Sequence, residues 1–333
     1  MKRFAALLLA LGMVFGSLTL RNSMDASSTD SNKSGGGNSA GSADEFRLTC
    51  ASDLELVCVK LAETNSALSV TIELPGTTAD SLTSLDDRAD PGFDAWLTVG
   101  PWAEIVQDNR SFAGNPGAIL GETSAVLGSS PAQILTLNTQ EQRLKDACGG
   151  AITWKCLGAN PSLPQPQSVG MESPDTGAGL AVLADATNSY FGSSDYSATD
   201  FEDAAFIGWF EQLTKKSRNS DLGRQTVLVR ALTAAGTYTT VGALRSQVES
   251  LKSGTGKYNA IAAPKDAPAQ PVVAQVRLVP ARGVDTNGAL DRVNREALTT
   301  LLKESNWNVS SKQPDSNMPA AGVLQVLRDM WEP

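Results

Sequence analysis

No histidine occurs anywhere in the 333 residues. That absence removes a Ser-His-Asp triad, a Cys-His pair, a histidine general base and a His-ligated zinc together. Positive charge is also scarce: 27 Lys and Arg stand against 36 Asp and Glu, for a net charge of −9. Such a chain lacks the basic face that releases counterions from phosphates, so no nucleic-acid partner is expected. Aromatic residues make up 6%, and the four cysteines contain no Cys-x-x-Cys pair. Neither a metal nor any other cofactor is expected from this set. What remains is 41% hydrophobic and 19% charged residues, a globular composition at a length that suits one large or two ordinary domains.

Lys2 and Arg3 precede an uncharged run from Phe4 to Leu20, the layout of a secretory segment. Residues 1–21 read as a signal peptide or an N-terminal membrane anchor. The anchor is slightly preferred, because no small-x-small cleavage site follows and no cysteine offers a lipoprotein route. Residues 22–44, rich in Ser, Gly, Asn and Asp, form a disordered tether. Within it, Gly37 to Gly41 spells G-x-S-x-G, but without a strand-turn-helix context or a histidine it is chance. The chain is therefore expected at the extracellular face of the cytoplasmic membrane, anchored or secreted. There an even cysteine count favours disulfides. Cys50, Cys58, Cys148 and Cys156 allow three pairings, of which the two local ones are preferred over one bridge with two buried thiols.

From Phe46 onward, strand and helix patterns alternate, which indicates β-α-β crossovers and a parallel or mixed sheet. FRLTCAS reads as a strand, with Ser52 and Asp53 as N-caps for the helix that follows. LSVTIEL is a second strand, and Thr77 and Thr78 would cap a short helix through Leu85. FDAWLTVG leads through Gly100 and Pro101 into the helix WAEIVQDN. Later patterns predict helices beginning near Ser173–Gly177 and over 203–216, the latter with Phe206, Trp209, Phe210 and Leu213 as its core stripe. Asp221 would cap another helix. TYTTVGALRS, YNAIAAP and PVVAQVRLV read as strands, and one helix is predicted over 288–304, before a short terminal one.

The segments RLTCASDLELVCVKLAE, VTIELPGTTADSL, DAWLTVGPW, SPDTGAGLAVL, GTYTTVGALRSQV and PVVAQVRLV occur here in an order that resembles bacterial extracellular solute-binding proteins of the type II periplasmic-binding class. The closing SNWNV…MPAAGVLQVL is similar to substrate-binding domains of actinobacterial surface proteins. The resemblance implies an α/β fold of two lobes, with mixed sheets flanked by helices and two crossing strands, near ILTLN and APAQPVV. Lobe one would be 46–137 plus 272–333, and lobe two 138–271. It further implies an unknown small-molecule ligand held between the lobes. The implied partner is an ABC transporter permease or another surface protein, with membrane contact only through the N-terminal segment. A monomer is expected.

In open α/β sheets, ligands sit beyond the carboxyl ends of strands, where helix N-termini offer unpaired N–H groups. Five turns carry suitable small polar residues. They are Ser52 with Asp53; Gly76 with Thr77 and Thr78; Thr98, Gly100 and Trp102; Ser173, Asp175, Thr176 and Gly177; and Thr240, Gly242 and Arg245. Asp53 and Asp175 oppose an inorganic anion and leave cations, peptides or polyols open. An alternative is a surface module of the same fold that contacts a protein or cell-wall partner. An enzyme is not expected: Asp86-Asp87 and Glu202-Asp203 are neighbours that do not face one another on a helix.

Overall fold

The computed structural model describes residues 45–159, 168–217, 226–234, 237–251, 257–261 and 270–331. The signal or anchor, the tether and Asp221 lie outside them. β1 (Phe46–Ala51) leads through a 3-10 turn into α1 (Glu55–Thr64), which buries Val57, Cys58 and Leu61. β2 (Leu68–Glu73) feeds α2 (Pro75–Thr83), and β3 (Ala95–Val99) feeds α3 (Trp102–Phe112). α2 starts at Pro75, which suits a first helical position because its missing N–H would be unpaired there anyway. Thr77 and Thr78 thus lie inside the helix rather than capping it.

β4 (Gly128–Leu137) is followed by α4 (Glu141–Ala147), α5 (Trp154–Ala159), β5 (Val169–Gly170) and α6 (Gly177–Phe191). Next come α7 (Ala204–Ser217), α8 (Val227–Thr233), β6 (Thr240–Leu244), α9 (Arg245–Ser250) and β7 (Tyr258–Ile261). β8 (Val273–Pro280), α10 (Thr286–Val293), α11 (Arg295–Glu304) and α12 (Ala321–Trp331) complete the order. The cap of α8 is Thr226, whose side chain accepts from the Val229 amide. The single helix expected over 288–304 is two. Asn294 takes a left-handed conformation between them and caps the second by accepting from Ala297 N, a conformation that Asn tolerates better than most residues.

The strands run in the order β2-β1-β3-β8-β4-β6-β5, with β7 also on β4. β1 pairs in parallel with β2 and β3, whereas β8 runs antiparallel to both β3 and β4. The strand β4 belongs to two sheets. Gly128 to Pro131 pair with β8, and Ala132 to Leu137 pair with β6 and β7. The change of partner falls at Pro131, whose nitrogen can donate to neither ladder. ILTLN lies past this switch, inside the second sheet. Trp96, Trp102 and Trp154 are fully buried in the main core. Phe206, Trp209, Phe210 and Leu213 are buried as their spacing predicts, packed with Tyr190 and Phe191 in an aromatic cluster.

Both local disulfides form, Cys50–Cys58 and Cys148–Cys156. The first ties the end of β1 to α1 and brackets the turn that carries Asp53. Replacing Cys50 and Cys58 by serine is expected to lower unfolding free energy by roughly 2–3 kcal/mol in urea titrations. A variant as stable as the wild type would show that the staple is dispensable.

Candidate functional site

Three of the five polar turns meet one another, and a fourth touches them. Asp53 caps no helix of its own. Its carboxylate reaches across the molecule and accepts from the first two amides of α6, Gly177 N at 2.8 Å and Ala178 N at 2.9 Å. This is the position where a helix N-terminus would otherwise hold a bound anion. Thr176 completes the cap by accepting from Gly179 N at 2.9 Å. Beside it, Gly76 N donates to the Asp175 carbonyl at 2.9 Å. These contacts join turns at the ends of β1 and β2 to the turn that opens α6.

The approach is close because glycines stand at the contact points. A Cβ at Gly76 would lie 2.5 Å from Asp175 Oδ1, and one at Gly177 would lie 2.5 Å from both Cβ and the carbonyl oxygen of Val99. Gly100, at φ +99°, turns the chain from β3 toward α3 and donates to the Gln275 carbonyl at 2.9 Å. Trp102 is buried, with Arg328 of α12 stacked 5.8 Å from its ring centre. Arg328 binds Asp175 through Nε at 2.7 Å and grips Asp80 of α2 with two bonds of 2.6 Å. Thr98 Oγ1 and Trp102 Nε1 are buried beside this seam without a hydrogen-bond partner among the described residues.

The remaining candidates make other contacts. Ser52 sits in the 3-10 turn beside Asp53. Thr78 points back to Glu73 at 2.9 Å, and Ser173 supports the turn through bonds with Asp175. Thr240 and Gly242 are buried within β6. Gly242 leaves room for Val182 and Trp154, since a Cβ would meet them at 2.3 and 2.9 Å. Arg245 is exposed and pairs with Glu249 at 3.0 Å. The fifth turn therefore does not join the other four. Of the carboxylate pairs, Asp87 binds the buried Arg110 at 2.7 Å, and Asp203 accepts from Ala205 N; both are structural bonds.

Arg328, Asp80, Glu172 and Asp185 are the participants that sequence reasoning missed. Glu172 accepts from Val227 N at 2.6 Å, at the start of α8. Asp185 of α6 accepts from Val272 N and from Trp154 Nε1, fastening α6 to the chain just before β8. Desolvation raises the pKa of Asp53, against the two backbone bonds that favour its anion. Burial likewise pushes Glu172 up to about 7, aided by the charge of Asp53, and Asp185 up to about 6.

A carboxyl group raised in this way favours the folded state when protonated. Its contribution is full below the unfolded value and is lost as pH rises through the folded one. Stability is therefore expected to fall between about pH 5 and pH 7.5. The Glu172 share is roughly 3 kcal/mol at most. Glu172→Gln, which keeps an acceptor for Val227 N, should flatten that slope in denaturant titrations across the range. An unchanged slope would assign the effect to other groups.

No family model matches the chain, and no curated protein matches it in sequence. Solved structures do match in fold. A periplasmic binding protein, AfuA from Actinobacillus pleuropneumoniae with fructose-6-phosphate bound, superposes with a TM-score of 0.55 at 13% identity, covering 87% of this chain and 98% of that one. Iron-bound HitA from Pseudomonas aeruginosa gives 0.55 at 13%, covering 86% and 99%. The sulfate-binding protein SubI from Mycobacterium tuberculosis gives 0.50 at 9%, covering 87% and 92%. Identities this low establish architecture alone. The fold is a two-lobe α/β arrangement like that of type II periplasmic binding proteins.

Proposed function

We propose that the chain is an exported solute-binding protein whose two lobes are latched together by its own side chains. Lobe one is 46–137 plus 272–333 and lobe two is 138–271, joined through the β4 and β8 crossings. The carrying observation is the convergence of turns from separate sheets on one seam, with the Asp53 carboxylate seated on the α6 amides. The latch fixes the lobes relative to one another, and a small solute is held between them. The N-terminal segment and its tether keep the receptor near the membrane, where an ABC transporter permease is the natural recipient. Cell fractionation of the full chain against one lacking residues 1–44 tests the tether.

The reading is tested by melting the full chain against a panel of sugars, amino acids and oxyanions. A ligand that binds only the folded protein raises Tm in proportion to its concentration over Kd. A panel that moves nothing would sink the receptor reading. The tight glycine contacts at Gly76 and Gly177 favour a second reading, a module of the same fold that docks on a protein or cell-wall partner. Retention of a defined cell-wall fragment by a protein inert to every solute would support it.

A further inference from the structure

We propose that the solute seat is a hollow lying along the β4–β8 ribbon, apart from the Asp53 seam, and that it takes an uncharged polyhydroxylated molecule, a mono- or disaccharide. This rests on the solute-binding reading above. The hollow has a volume of about 680 Å³ and is walled by the ribbon at Ser129–Pro131 and Val273, by α9, and by the 306–317 segment. That size suits a small ligand. Its walls come from both sides of the crossover: Arg245 and Glu249 follow the first crossing, whereas Asn306, Asn308, Asp315 and Asn317 follow the second. An occupant would touch both lobes at once.

The chemistry of the lining selects the ligand. Side-chain amides present a donor and an acceptor in one plane, and a carboxylate accepts a pair, which matches adjacent hydroxyls that each donate and accept. Gln270 and Asp315 line the hollow, and neither forms a hydrogen bond or ion pair with other described residues. The one cation in the wall, Arg245, is matched by Glu249 at 3.0 Å, so no unbalanced positive charge calls for an anion. Trp307, Pro271 and Pro314 supply apolar wall for the C–H face of a ring.

The frame is held in place before any ligand arrives. Asn308 exchanges two backbone bonds of 2.9 Å with Ser129. The Asn317 amide donates to the Pro271 carbonyl at 3.2 Å, and that of Asn306 donates to Ser250 at 3.1 Å. Ser129 is 1% exposed, lines the hollow, and its Oγ has no partner among the described residues. That hydroxyl is closed off from the hollow, so a ligand would be held by the exposed amides and the Asp315 carboxylate instead.

The test is calorimetric titration of the full chain with glucose, galactose, maltose and trehalose, beside sulfate and arginine as charged probes. Asn308→Ala and Asp315→Ala alter exposed side chains, and circular dichroism would verify that both variants fold. The proposal expects at least one sugar to bind and each variant to weaken it about tenfold, the loss of one good hydrogen bond. A sugar that binds equally to both variants would overturn the location and leave the receptor reading standing. Binding of sulfate or arginine with every sugar inert would overturn the ligand class and again spare the receptor reading. If none of the probes bound, both would fall.

Discussion

Arg328→Met is expected to lower the unfolding free energy by about 3–5 kcal/mol, the usual loss when one partner of a buried charge network is removed. Arg328 is 6% exposed and carries three short bonds to Asp80 and Asp175, above the face of Trp102. Methionine restores much of the volume but leaves Asp80 and Asp175 without their countercharge. The two deletions on the acidic side should differ in effect. Asp80 is 57% exposed, whereas Asp175 is 22% exposed and its carboxylate also accepts from Ser173 Oγ. Asp80→Asn should therefore cost less than Asp175→Asn. Urea titrations of the three variants check the order, and a small effect for Arg328→Met would mean that water already screens the network.

Gly177→Ala is expected to be strongly damaging, because the added methyl meets backbone across the seam. The new Cβ would stand 2.5 Å from the Val99 carbonyl oxygen, a backbone atom that no rotamer change can move. Overpacking of this kind typically costs 1–3 kcal/mol. Because the contact joins the end of β3 to the start of α6, the strain should also push the seam apart, visible as a larger radius in solution scattering. Gly208→Ala provides the control. That glycine lies inside α7 with nothing within 4 Å of the added carbon, so the change should stabilise by about 0.5–1 kcal/mol. Equal behaviour of the two variants would contradict the seam geometry.

The sequence made the local architecture legible and left the long-range pairings hidden. Periodicity placed the aromatic stripe of α7, and a spacing of eight residues placed both disulfides, because these depend on neighbours in the chain. The stripe Leu290, Val293, Leu298 runs through the break at Asn294, so no change of pattern marks it; only the left-handed backbone there does. Asp53 was read as a cap and is one, but for a helix 124 residues away. Nothing in composition or spacing announces that partner. The same holds for Arg328, whose partners lie 248 and 153 residues upstream, on a helix that otherwise reads as an ordinary amphipathic end. The hollow on the β4–β8 ribbon is built largely from exposed amides in a loop, a composition that looks like any solvated surface until the strands bring the two segments together.

The claim that Asp53 closes the seam is tested most directly by residue-resolved hydrogen exchange at the Gly177 and Ala178 amides. The first amides of a helix have no intrahelical acceptor and exchange quickly unless something covers them. In the wild type both should be protected, and in Asp53→Ala that protection should vanish while amides deeper in α6 keep theirs. Rapid exchange in the wild type, or protection that survives the substitution, would contradict the latch.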